Sequence, residues 1–152
     1  MLPIYPTISN PVTLRASAAL AAAGAWDAAP TEVIIGTTSR IMLYFEYTRG
    51  AAGGAFDWKI ETALPAGTDW YQTTIEAPGV MIAGADVQSF VQRNYRTYSS
   101  TAAAVERFVY GPVEIDAVEG WRIAARESGV VGTPGTLEIM AMIDNIGTGG
   151  GG

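Results

Sequence analysis

The chain has 152 residues, 49% apolar and 16% charged, with a formal net charge of −6. That length suits one domain with a sizeable core, and the composition excludes an intrinsically disordered chain. There is no histidine and no cysteine, which removes disulfides, thiol nucleophiles, the usual zinc sites and acid–base chemistry that needs imidazole.

The basic residues are Lys59 and eight arginines, with no basic run. An acidic domain of this kind predicts no nucleic-acid partner and no anionic membrane partner. No stretch is long and apolar enough to cross a bilayer as a helix. The opening MLPIYPTISNP has neither the basic start nor the apolar run of a signal peptide, so synthesis in the cytoplasm is expected. The absence of cysteine does not by itself fix a compartment.

Residues 1–12 read as an extended N-terminal arm, because Pro3, Pro6 and Pro11 favour a polyproline-like path. Leu2, Ile4, Tyr5 and Ile8 are apolar and need a surface to lie on, either this domain or a neighbouring subunit. Thr13–Leu20 reads as a strand despite its alanines. Trp26, beyond it, is expected to plug the core or an interface.

From Thr31 the β signal strengthens. In Ile41–Tyr47 the residues Ile41, Leu43, Phe45 and Tyr47 share one face. In Phe56–Thr62 the alternation puts Phe56, Trp58 and Ile60 inward and Asp57, Lys59 and Glu61 outward. Two such strands around the Gly-rich RGAAGGA predict a β-hairpin. Trp70–Ala77 reads as another strand, and residues 78–85 as a Gly-punctuated loop. Asp86–Arg93 fits a short helix with Asp86 as its cap.

Four further strands are expected at Tyr95–Thr101, Val105–Asp116, Trp121–Glu127 and Thr136–Ile146. In the last, Leu137, Ile139, Ala141 and Ile143 share one face and Glu138, Met140 and Met142 the other. That second face is half apolar, fit to sit against another chain or under the domain's own arm. Residues 147–152, GTGGGG, form a tail with no side chains to bury. Eight or nine short strands with turn signals between them predict an all-β fold. The expected form is an antiparallel β-sandwich over residues 13–146, a jelly roll being one version of it.

Candidate chemistry is sparse. Glu114 and Asp116 share one face of a strand, but glycoside hydrolysis needs two carboxylates facing across a cleft, so a solvated face is the simpler reading. Asp57, Glu61 and Asp69 could approach a Ca²⁺ ion near the 64–70 turn, yet they lack the Asp-rich spacing of a calcium loop. The glycine-rich stretches lack a Gly-Lys-Ser/Thr ending, and the serines lack a base partner, so no catalytic residue and no cofactor is assigned. The aromatics are more informative. Trp58 and Trp121 read as core. Trp70 and Tyr71 are adjacent on a strand and face opposite sides, which makes them the best exposed pair for a partner.

The stretch WKIETALPAGTDWYQTT, residues 58–74, resembles a recurring pattern in small phage virion proteins. There a strand ends in a polar turn and the next begins with Trp-Tyr after an Asp or Gly. The chain is similar to such proteins over roughly residues 31–146, through a strand like Trp121–Arg126 and a final alternating strand like Thr136–Ile146. Its Ala- and Gly-rich, Lys-poor composition also resembles that of a phage from a GC-rich host.

The resemblance implies a virion structural role, as a capsid decoration (cement) protein assembled in the host cytoplasm. It implies contact with a major capsid protein or other virion subunits, a homo-oligomer (a trimer by analogy), and no catalytic residues. The partner-binding residues expected on this reading are Leu2, Ile4, Tyr5, Ile8, Trp70, Tyr71, Met140 and Met142. The alternative is a carbohydrate-binding or host-adhesion module. It would present Tyr71 with Tyr95 or Tyr98 as a stacking platform.

Overall fold

A computed structural model describes residues 10–21, 25–34, 39–50, 54–64, 69–73, 95–100, 104–115, 120–128 and 132–145. Among these residues there are nine strands and no helix. They are β1 (Val12–Ala19), β2 (Glu32–Ile34), β3 (Ser39–Thr48), β4 (Ala55–Ala63), β5 (Trp70–Thr73), β6 (Arg96–Ser99), β7 (Glu106–Ile115), β8 (Gly120–Glu127) and β9 (Thr136–Asn145). The arm residues Leu2, Ile4, Tyr5 and Ile8, the turn at 65–68, the loop at 78–85, the helix expected at 86–93 and the tail at 147–152 lie outside the described residues.

The strands form two sheets. The front sheet has the order β1-β9-β3-β7, and the back sheet β2-β8-β4-β5, with β6 also paired to β4. All pairings are antiparallel. The pairing is nested. Strand β1 lies beside β9, β2 beside β8, β3 beside β7, and β4 beside both β5 and β6. A chain paired this way is one long hairpin rolled up, and the β3–β9 and β4–β8 ladders close the roll. The protein is therefore a β-sandwich of jelly-roll form, as its strand count and spacing predict.

One local expectation is overturned. Strands β3 and β4 do not form a hairpin. Strand β3 pairs with β7 and β9, and β4 with β5, β6 and β8. The glycine-rich connection crosses between sheets instead of turning within one. Each strand has a continuous apolar face, and both faces bury best when set against each other. Phe45 of β3 and Phe56 of β4 accordingly meet across the sandwich, with ring centroids 5.9 Å apart.

The inner faces follow the predicted alternation. Ile41, Leu43, Phe45 and Tyr47 meet Phe56, Trp58, Ile60, Trp121 and Ile123, all buried. Burial of each large apolar side chain stabilises the fold by about 1.5–3 kcal/mol. One end of the core is aromatic. Phe45 stacks on Phe108 at 4.9 Å, Phe108 on Tyr98 at 4.2 Å, and Phe56 lies 4.8 Å from Tyr47.

At that end a carboxylate lies inside. Glu127 is fully buried and accepts hydrogen bonds from the amides of Ala55 at 3.2 Å and Gly135 at 3.0 Å. Gly135 must stay bare, because a Cβ there would lie 2.6 Å from the Tyr47 hydroxyl oxygen.

Strand β7 carries a register shift opposite Ile41 and Leu43. Gly111 sits there with φ of 140°, a region that L-side chains avoid, and with the Ile41 carbonyl 2.8 Å from where a Cβ would be. Strands β5 and β6 share one edge of β4: Thr73 pairs with Ile60, and Arg96 with Trp58.

Candidate functional site

The inward set on β3 forces Arg40, Met42, Tyr44 and Glu46 onto the outer surface of the front sheet. Register then decides their neighbours. Arg40 stands between Glu114 of β7 and Asp144 of β9. Met42 is opposite Met142, and Tyr44 lies between Val109 and Met140. Glu46 stands between Arg107 and Glu138. The result is an apolar band of Met42, Tyr44, Val109, Met140 and Met142 bounded by a charged row at each end. Tyr44, on the inner strand β3, and Val109, on the edge strand β7, remain 39% and 51% exposed, which leaves large apolar surface open on this face. A cavity of about 270 Å³ opens there, lined by Tyr44, Glu46, Arg107, Val109, Glu138 and Met140.

The two charged rows differ. Arg40 is placed between two carboxylates and pairs with Glu114 at 3.2 Å. In the other row Arg107 pairs with Glu46 at 2.8 Å, while Glu138 stands directly opposite Glu46. Like charges in that position repel. Arg107 is two strand spacings from Glu138, roughly 10 Å. Glu138 has no ion-pair partner among the described residues.

The outer surface of the back sheet is built differently. Asp57, Lys59 and Glu61 do face outward, as their alternation predicts, yet they are 2%, 6% and 8% exposed. Cations and aromatic rings cover them. Glu61 takes Lys59 at 2.7 Å and Arg122 at 2.7 Å. Asp57 takes Arg126 at 2.9 Å and the Thr97 hydroxyl at 2.7 Å. Trp26 lies 4.5 Å from the Lys59 ammonium and 4.2 Å from the Arg126 guanidinium, and Trp70 lies 4.2 Å from that of Arg122.

Of the two places expected for Trp26, the core and an interface, the core is excluded: it is a lid over Lys59 and Arg126 on the outside of the back sheet. Asp27 seats this lid by accepting from Arg15 of the front sheet at 3.0 Å and from the Ala125 amide of the back sheet at 3.1 Å. Burial pushes the Glu61 carboxyl up, but the hydrogen bonds from Lys59 and Arg122 outweigh it and hold the group below its ordinary range. The charges of this layer answer one another, so it is packing and not an open site.

The predicted partner residues separate. Met140 and Met142 lie on the front band, half-buried. Trp70 and Tyr71 lie on the edge strand β5 of the other sheet, Trp70 under Arg122 and Tyr71 52% exposed. Met42, Tyr44 and Val109 complete the band and were not among the expected partner residues; Glu138, read from sequence as sharing a face with Met140 and Met142, stands in the charged row at its end. The alternation that turns Leu43 inward turns Met42 and Tyr44 outward, so that signal was present. Val109 was hidden, because FVYGPVEI is apolar at both parities.

The tyrosines of the stacking platform are also dispersed. Tyr98 turns into the core and donates its hydroxyl proton to Glu106 at 2.9 Å, an interaction that raises its pKa. Tyr95 packs edge-on against Trp26 at 5.9 Å. Tyr71 pairs with Thr62 and Tyr98 with Phe56 on β4, which separates them by roughly 20 Å along the strand. Glu114 is exposed and paired with Arg40, and Asp116 lies outside the described residues. Asp57 and Glu61, considered for Ca²⁺, are each committed to cations.

No protein-family profile matches the chain, and no curated protein matches it. One solved structure, that of infectious bursal disease virus (Gt strain), contains a chain of similar fold. The likeness has a TM-score of 0.53 at 10% sequence identity and covers 91% of this chain. This chain spans 33% of the length of that one. At such identity the likeness is one of fold.

Proposed function

We propose that this chain is a structural protein of a virus particle, a jelly-roll unit that binds neighbouring shell subunits. The observation that carries the reading is the fold likeness to a virus structure over 91% of the chain. Fold alone does not set function, so the surface matters too. An apolar band across the outer surface of a sheet, framed by charge, is the form of a protein-binding face. The carboxylates Asp57, Glu61 and Glu127 are committed to cations or amides, which supports a binding role over a catalytic one.

Within that class the reading is a phage capsid decoration protein, carried on the major capsid protein and repeated around the shell as a homo-oligomer. Each contact in such an array is of modest area, and repetition raises the avidity. The test is co-sedimentation with purified particles of the source phage, using the full chain and a form lacking residues 2–11. The full chain is expected to pellet at a fixed copy number, and the truncated form to bind less. A full chain that stays in the supernatant would sink the reading, and a glycan array would then be the next measurement.

A further inference from the structure

Resting on that reading, we infer that the front band docks a basic, aliphatic-rich segment of a different protein. One lysine or arginine of that partner enters the cavity between Tyr44, Val109 and Met140 and ends against Glu138. Three observations support this occupant.

The first is the wall chemistry. Tyr44, Val109 and Met140 give the cavity an apolar wall, and its charged lining is Glu46, Glu138 and Arg107, of which Arg107 is already paired with Glu46 at 2.8 Å and Glu138 is left over. An aliphatic stem with a cationic head fits both parts, and the Tyr44 ring adds a cation–π surface.

The second is the charge balance. Around the band stand two arginines, Arg40 and Arg107, against Glu46, Glu114, Glu138 and Asp144. Glu138 faces Glu46 and has no cation of its own among the described residues. A docked cation relieves that repulsion. The same excess of acid repels nucleic acid and anionic lipid and favours a cationic partner segment.

The third is that this chain has few cations to spare. Of the nine basic residues, Arg15, Arg40, Lys59, Arg107, Arg122 and Arg126 are in ion pairs, Arg49 is in none among the described residues, and Arg93 lies outside them. Arg96 lies over the Tyr110 ring. Residues 1–9 contain no lysine or arginine. Neither a second copy nor the chain's own arm supplies the charge as readily as a basic partner does.

The experiment measures binding of the full chain to purified particles of the source phage, with Glu138→Lys, Glu138→Gln and the remote control Tyr71→Ser. Folding of each is checked by near-UV circular dichroism. Glu138→Lys is expected to bind about tenfold more weakly, Glu138→Gln to fall between, and Tyr71→Ser to match the unaltered chain. Binding of the unaltered chain should also weaken as salt rises.

Particle binding that ignores both Glu138 variants overturns the inference and leaves the virion reading standing. No particle binding by the unaltered chain overturns both. Two further results would replace the occupant. One is a dimer of the chain alone that Glu138→Lys dissociates. The other is faster oxidation of Met140 when residues 2–9 are removed, which would place the arm on the band.

Discussion

Glu127 accepts a hydrogen bond from the amide of Gly135 at 3.0 Å, fully inside the sandwich. Its other oxygen holds the Ala55 amide. One side chain therefore ties the end of β8 to the starts of β4 and β9. Glu127→Gln keeps the shape but turns an amide N–H₂ toward a backbone donor. The expected loss is about 1–3 kcal/mol, read as a lower urea midpoint with an unchanged slope. An unchanged midpoint would mean that the two amides find other acceptors.

Tyr47 carries the opposite fault. Its hydroxyl is buried with no hydrogen-bond partner among the described residues. Tyr47→Phe removes a desolvated group and is expected to be neutral or stabilising by up to about 1 kcal/mol. Burial, with Glu127 and Glu106 nearby, pushes the phenol up to about 12. The fold therefore holds this proton more tightly than the unfolded chain does. The resulting stability is intact below about pH 10 and declines as the pH rises from there toward 12. Denaturation curves across that window should show the decline in the unaltered chain and its reduction in Tyr47→Phe.

Glu61 acts in the acid range. Its carboxyl is held below the ordinary value by Lys59 and Arg122. The stability it contributes is present above about pH 4 and is lost as the pH falls through the lower folded value. Glu61→Gln leaves the buried Lys59 and the half-buried Arg122 less well matched, with an expected loss of about 1–3 kcal/mol at neutral pH. The gap between variant and unaltered chain should close on acidification. A gap that stays constant with pH would show that charge is not the cause.

Trp26 keeps water off the Lys59 and Arg126 pairs. Trp26→Ala is expected to cost about 2 kcal/mol through lost burial and cation–π contact. It should also make stability more sensitive to salt, because solvated ion pairs are screened. Melting temperatures at low and high ionic strength test this. Equal salt dependence in the two proteins would mean that the ion layer is already wet.

Much of the fold was legible in local pattern. Period-two alternation in Ile41–Tyr47, Phe56–Thr62 and Thr136–Ile143 marked the strands and their buried faces. It did so because a pleated strand has only two faces and the core takes one. The candidate site was half legible. Met140 and Met142 stood out against Leu137, Ile139 and Ala141, but the residues beside them did not.

What the sequence determined by itself is therefore the strand character of most of these segments and, for β3, β4 and β9, which side faces the core, since both depend on neighbours along the chain. Which strands lie side by side was decided only by the tertiary structure. The jelly-roll nesting sends β3 and β4 to different sheets, although a glycine-rich loop joins them. Register across β7, β3 and β9 gathers Val109, Tyr44 and Met140 into one band and sets Glu138 against Glu46. Those contacts join residues far apart in sequence, and no local propensity encodes them. They arise because two apolar sheet faces bury most area when packed against each other, and the outer surface inherits whatever that packing leaves outside.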